Sequence, residues 1–176
     1  MRNLLKRTLS GIIFVLIFFS AILYSENSYI ALIILCGFLC IWEFIRMIKL
    51  KSFVPYVLFA FVLFLMIKRR DSHAISLVLM ISILSSVFLI YQLFAKKEIS
   101  FLNDRVKLGV TIRYVIFSVC FLVLLPFYEN NFHPYLMISI LSIIWVNDSF
   151  AFLVGKNFGK NKLFPSVSPK KTIEGF

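Results

Sequence analysis

The chain reads as long apolar runs broken by short polar gaps. Six runs stand out: residues 8–24, 28–48, 53–67, 74–95, 108–128 and 133–155. Most are apolar all round, without a polar face. Such a run is expected to form a helix buried in lipid rather than on a water-exposed surface. Five of them approach or exceed the length that crosses a bilayer, and 53–67 is short for a span. Pro55 suits the first turn of that short run, where a missing N–H costs nothing. The pattern predicts an all-α, polytopic membrane protein. It has a helical domain over 1–155 with about six spans, then a cytoplasmic Gly/Lys-rich loop over 156–176.

Charge orients the spans. If all six runs cross, one side receives Arg2, Lys6, Arg7, Arg46, Lys49, Lys51, Lys96, Lys97, Arg105, Lys107 and the five lysines after residue 155. The other side receives Lys68, Arg69 and Arg70. If 53–67 does not cross, the basic residues divide evenly. The positive-inside rule therefore favours six crossings with both termini in the cytoplasm. A secretory leader is not expected, because no small-x-small cleavage site precedes Glu26 and further apolar runs follow. The net charge of +11 does not indicate nucleic acid, since the basic residues fill gaps between membrane helices and suit anionic headgroups. Cys36, Cys40 and Cys120 lie inside apolar runs without metal-binding spacing and read as packing residues.

Three charges fall clearly inside the runs, away from their ends: Glu43, Arg113 and Asp148. Charges there are costly, and they point to function by default. With six crossings, each lies about 8–11 Å from the cytoplasmic boundary at about 1.5 Å per residue. A polar cavity open to the cytoplasm would account for the shared depth. Local readings compete: Glu43 could pair with Arg46 at i, i+3, and Arg113 could snorkel to lipid phosphates. Asp148 cannot snorkel as easily, and Asn147 beside it adds to the polar cost.

The most informative stretch runs from Trp145 to Phe176. Past Gly155 it turns glycine-punctuated and basic, with Lys156, Lys160, Lys162, Lys170 and Lys171. Glu174 follows the lysines and reads as a partner for them. Gly155, Gly159 and Gly175 are half of the six glycines, and they permit close backbone approach. Ser168-Pro169 reads as an N-cap followed by proline at the first helical position. A helix starting there would turn its N–H groups and positive dipole end toward an anion, with Lys170 and Lys171 alongside.

These residues resemble the phosphatidate cytidylyltransferases, or CDP-diacylglycerol synthases. The resemblance rests on Asp148-Ser149, on the run Gly155-Lys156-Asn157-Phe158-Gly159-Lys160-Asn161-Lys162-Leu163-Phe164-Pro165, and on Ser168-Pro169-Lys170-Lys171-Thr172-Ile173-Glu174-Gly175. Ile173 departs from it, standing where the family often has an aromatic. The resemblance implies transfer of the cytidylyl group of CTP to phosphatidic acid, in a bacterial inner membrane, with Mg2+. It implies Asp148, Lys170 and Lys171 as catalytic residues. Lys160, Lys162, Ser168, Thr172, Gly159 and Asn147 would contact substrate, and Asp148 would hold the metal. A homodimer is a further expectation; nucleic acid is not an expected partner. In the family, a later signature rich in Lys, Asp, His and Gly carries further metal-binding aspartates. It is not found in residues 1–176, so turnover by these residues alone is not expected. Two alternatives stay open from the residues themselves: part of a transporter or channel, in which intramembrane acids also serve, and a CTP-dependent lipid kinase.

Overall fold

The computed structural model describes residues 2–68, 73–94, 103–129, 131–165 and 168–176. Arg69, Arg70, Lys96 and Lys97, used above in assigning sides, lie outside the described residues. The chain is mostly helical and divides into two compact units, Met1–His133 and Pro134–Phe176.

The first unit contains α1 (Arg2–Tyr24), α2 (Glu26–Met47), α3 (Val54–Lys68), α4 (His73–Phe94), α5 (Asp104–Val110), a π-helical turn (Thr111–Ile116), α6 (Phe117–Leu124) and a short hairpin, β1 (Phe127–Tyr128) with β2 (Asn131–Phe132). The second unit contains α7 (Pro134–Phe158), β3 (Lys162–Phe164) and β4 (Ser168–Thr172). Glu26–Met47, Ile75–Gln92, Asp104–Leu124 and Pro134–Phe158 are long and apolar enough to cross a membrane; Leu9–Tyr24 and Val54–Lys68 are shorter apolar helices. Large apolar side chains such as Leu77, Leu84 and Phe88 are exposed on α4, as expected of a surface that meets lipid rather than water.

Sequence explains where the helices break. Ser25 ends α1 and caps α2. Its hydroxyl accepts from the Ser28 N–H at 3.1 Å, while the Ser28 hydroxyl accepts from the Ser25 N–H at 3.0 Å. This reciprocal pair is a capping box. At the far end of α2, Lys49 takes a left-handed φ of 53°. The Lys49 N–H donates to Arg46 O and the Leu50 N–H to Ile45 O, the double bond of a Schellman stop.

The rod of α5, the π turn and α6 is the centre of the first unit, and α2, α3 and α4 all pack on it. On α2 the buried residues are Tyr29, Ile33, Gly37, Ile41 and Ile45, a single stripe at four-residue spacing. Gly37 is the notch in that stripe. A β-carbon there would meet Phe59 Cζ at 2.5 Å and Val119 Cγ1 at 2.9 Å.

The rod departs from the expected uninterrupted span over 108–128 in three ways. Its helix begins earlier, at Asp104, and within it the Phe117 N–H reaches Ile112 O, five residues back. An α-helix would have sent that N–H to Arg113 O; instead the Ser82 hydroxyl of α4 donates to Arg113 O at 3.1 Å. The rod also stops at Leu124, because Pro126 has no N–H to give Leu122 O. The buried Tyr29 hydroxyl supplies the missing donor at 2.5 Å. Tyr29→Phe would orphan that carbonyl and is expected to cost about 1–3 kcal/mol. A lowered apparent melting temperature in detergent checks this; an unchanged one would show that Leu122 O finds another donor.

Of the intramembrane charges in this unit, Glu43 makes no ion pair among the described residues. Its i+3 neighbour Arg46 instead lies over the Trp42 ring, 5.6 Å from its centroid. Arg113 runs back along its own helix, where its Nη2 would lie 3.5 Å from a β-carbon at Gly109.

Candidate functional site

The second unit is built on α7. Asn147, Asp148, Ala151, Phe152, Gly155 and Lys156 recur at four-residue intervals and so share one face of the helix. That face forms one wall of a cavity of about 530 Å³, within the range that takes small ligands. Leu163, Lys170, Lys171, Thr172, Gly175 and Phe176 form the opposite wall. Ser149 is absent from the lining; its hydroxyl donates to Trp145 O at 2.7 Å along the helix.

The opposite wall is not the loop or helix that sequence predicts. Lys162–Phe164 and Ser168–Thr172 pair as two antiparallel strands, with Lys162 opposite Thr172 and Phe164 opposite Ser168. The helix expected from Ser168-Pro169 does not form, and the all-α expectation fails at this hairpin and at β1–β2. Only five residues separate Pro169 from Gly175, too few for a stable isolated helix. In a strand the same residues pair their backbone with β3, and Pro169 is tolerated because a two-stranded sheet is all edge. The dipole-based anion site therefore has no basis, but Lys170 and Lys171 still reach the cavity from β4.

Two strands alone are marginally stable, and the glycines show how this pair is held. Helix α7 continues through Gly155, where the sequence pattern ends it, to Phe158. Glycine inside a helix costs about 1 kcal/mol against alanine. Here a β-carbon at Gly155 would meet Thr172 Oγ1 at 2.9 Å. A β-carbon at Gly159 would overlap Gly155 O and meet Thr172 Cγ2 at 2.6 Å. One at Gly175 would meet Ala151 O at 2.6 Å and Gly155 Cα at 2.8 Å. The end of the chain thus lies on α7 at backbone distance.

Thr172 is packed among these glycines at 7% exposure. Its Oγ1 is buried and has no hydrogen-bond partner among the described residues. A buried hydroxyl left unpaired costs about 1–3 kcal/mol. It borders the cavity, so a ligand oxygen could satisfy it.

Of the residues expected to act, Asn147, Asp148, Lys170, Lys171 and Thr172 line the cavity together. Gly159, Lys160, Lys162 and Ser168 do not. Gly159 packs on Gly155 and Thr172, Lys162 is paired with Thr172 and Ser168 with Phe164 in the strands, and the Lys160 N–H donates to the Glu174 carboxylate at 3.1 Å. Lys156 lines the cavity although sequence reasoning does not select it as a site residue. The signal for it is its place eight residues after Asp148, two turns along the same face. Glu174 does not pair with the lysines as its position suggests. Among the described residues it meets no ammonium and accepts from the turn after α7 instead.

For a cation, the described residues hold no group of three or more His, Cys, Asp or Glu. The cavity offers one carboxylate, Asp148, with the Asn147 amide next to it in the lining. This donor set fits Mg2+ held by one carboxylate and completed by substrate phosphates. It does not fit an all-protein cage.

A model of the Cytidylyltransferase family matches residues 5–176. A phosphatidate cytidylyltransferase of Bacillus subtilis (strain 168) is 26% identical over 190 residues, covering 100% of this chain and 67% of its own length. That of Staphylococcus haemolyticus (strain JCSC1435) is 30% identical over 175 residues, covering 97% of this chain and 65% of its own. That of Aquifex aeolicus (strain VF5) is 64% identical over 42 residues, 24% of this chain and 16% of its own. The chain spans about two thirds of the length of the two relatives it matches end to end. No solved structure matches it.

Proposed function

Because the chain belongs to the cytidylyltransferase family, we propose that it serves the transfer of a cytidylyl group from CTP to phosphatidic acid, giving CDP-diacylglycerol and pyrophosphate. The observation that carries this reading is the cavity, which sets Asp148 and Asn147 on α7 opposite Lys170, Lys171 and the unpartnered Thr172 hydroxyl. A phosphate oxygen of the lipid attacks the α-phosphorus of CTP, and the bond from that phosphorus to the bridging oxygen of pyrophosphate breaks. Negative charge builds on the departing pyrophosphate. Lys156, Lys170 and Lys171 stabilise it electrostatically in a partly desolvated site. Thr172 Oγ1 donates to a phosphate oxygen, and Asn147 orients the nucleotide by hydrogen bonding. Asp148 would hold Mg2+, which would supply further charge neutralisation when bound. Lys160 and Lys162 draw anions toward the cavity without lining it.

The same reading sets the chain in the membrane with six crossings and both termini in the cytoplasm, where CTP is found. The two shorter apolar segments, Leu9–Tyr24 of α1 and Val54–Lys68 of α3, complete the six. A single cysteine at position 160, with Cys36, Cys40 and Cys120 replaced, is expected to react with an impermeant thiol reagent only from the cytoplasmic side. Labelling from the outside would overturn the orientation.

The activity test incubates membranes containing the chain extended to the length of its relatives, beside residues 1–176 alone, which are expected not to turn over, with labelled CTP, Mg2+ and either phosphatidic acid or a polyprenol. Pyrophosphate release with labelled CDP-diacylglycerol is the expected result for the extended chain. Release of CDP with a phosphorylated lipid would instead show a lipid kinase, and no turnover by the extended chain with either lipid would return it to the transport reading.

A further inference from the structure

Glu174 is the one acid after Asp148 in a segment with five lysines, yet it spends its charge on backbone. One carboxylate oxygen accepts from the Lys160 N–H at 3.1 Å, and the other accepts from the Asn161 N–H at 3.1 Å and the Asn161 side-chain amide at 3.0 Å. The Ile173 N–H donates to Asn161 O at 2.9 Å alongside. The turn leaving α7 and the turn leaving β4 are therefore tied to each other, which closes the hairpin into a loop anchored at both ends. Strand β4, carrying Lys170, Lys171 and Thr172 into the cavity wall, lies between the two tied ends.

From this geometry we infer that Glu174 is a positioning residue. It fixes β4 against α7 and keeps its own negative charge away from the lysine ammonium groups, which are left to meet an anionic ligand. It does not touch the ligand itself. The inference rests on the cytidylyl-transfer reading only for the identity of that ligand.

The carboxylate is also held below its ordinary value of 4.5, chiefly by its own backbone N–H and then by the N–H groups of Asn161 and Lys160, against an opposing effect of desolvation. A lowered folded value means that the clasp is fully formed above the ordinary value and is lost as pH falls through the folded one. Glutamine at 174 cannot reproduce the clasp. It replaces one acceptor oxygen with an NH2 group that faces N–H donors.

The test compares wild type, Glu174→Gln and the swap Glu174→Gln with Asn161→Asp, each in nanodiscs. Hydrogen exchange is read at the Lys160 and Asn161 amides, and binding is read with Mg·CTP and with inorganic pyrophosphate. E174Q is expected to speed exchange at both amides and to weaken pyrophosphate binding about tenfold, with the apparent melting temperature nearly unchanged. In the swap, the glutamine NH2 regains an acceptor in the new carboxylate at position 161, and binding is expected to recover in part. Unchanged exchange in E174Q would overturn the clasp. Faster exchange with unchanged pyrophosphate affinity would overturn its positioning role, as would a loss of binding that only tracks a loss of folded protein. Wild type that binds pyrophosphate but shows no preference for CTP would sink the cytidylyl reading. The clasp would then be judged on the pyrophosphate arm alone.

Discussion

In the chain extended to the length of its relatives, Asp148→Asn is expected to lower CTP:phosphatidate turnover by at least about 100-fold, a loss of the size seen when one preorganised electrostatic group is removed from an active site. Among the described residues Asp148 is the one carboxylate lining the cavity, so none of them can take over its charge. Its side chain is exposed on α7 and holds no hydrogen bond or ion pair among the described residues. The substitution therefore opens no void and orphans no partner, and large destabilisation requires one or the other. Asparagine keeps the shape and removes the charge, which isolates the electrostatic role. The checks are pyrophosphate release in membranes, the Mg2+ concentration for half-activity, and the amount of inserted protein. Insertion should match wild type while activity collapses. Turnover near wild type with an unchanged Mg2+ requirement would reduce Asp148 to a tolerated polar residue on a helix that happens to border the cavity.

Much of the helical pattern was legible because lipid imposes a simple rule: a run without a polar face must be a helix. Ends marked by local chemistry were equally readable, as at Pro55 in the first turn of α3. Ends set by distant partners were not. Gly155 looks like a terminus, but α7 passes through it, because the reason for the glycine is Thr172, in a strand further along the chain. The π turn could not be seen in apolar periodicity, since its extra residue is accommodated by the Ser82 hydroxyl from another helix. The second unit followed the same division. Asp148, Asn147, Lys170, Lys171 and Thr172 could be singled out as residues of the right chemistry. Whether Ser168–Thr172 formed a helix or a strand depended on pairing with β3, which residue types alone do not encode. Glu174 misleads because a charge beside lysines suggests an ion pair, and nothing local reveals that two backbone amides compete for it.

Gly175→Ala carries the other large expected effect, and it acts through packing alone. A β-carbon at 175 would lie 2.6 Å from Ala151 O, 2.8 Å from Gly155 Cα and 3.0 Å from Gly155 N. All three are backbone atoms of α7 and none can rotate aside. The helix is held by its own hydrogen bonds, so the chain end has to lift away instead. Overpacking of this kind costs about 1–3 kcal/mol, enough to undock a two-stranded hairpin that is marginal without its support. Once it lifts, Lys170, Lys171 and Thr172 leave the cavity together. Activity of the extended chain is then expected to fall at least about 100-fold, as when several preorganised groups are lost at once. Two other glycines grade the effect. At Gly155 the nearest atom is the Thr172 hydroxyl at 2.9 Å, a side-chain end that can turn, so alanine there should be milder. At Gly11 nothing lies within 4 Å, and alanine should be neutral or slightly stabilising, since it favours helix by about 1 kcal/mol. Limited proteolysis between 159 and 176 reads the undocking directly, and pyrophosphate release reads its consequence. If all three alanine variants proved equally resistant and equally active, the backbone contact between Gly175 and α7 would not be what holds the cavity closed.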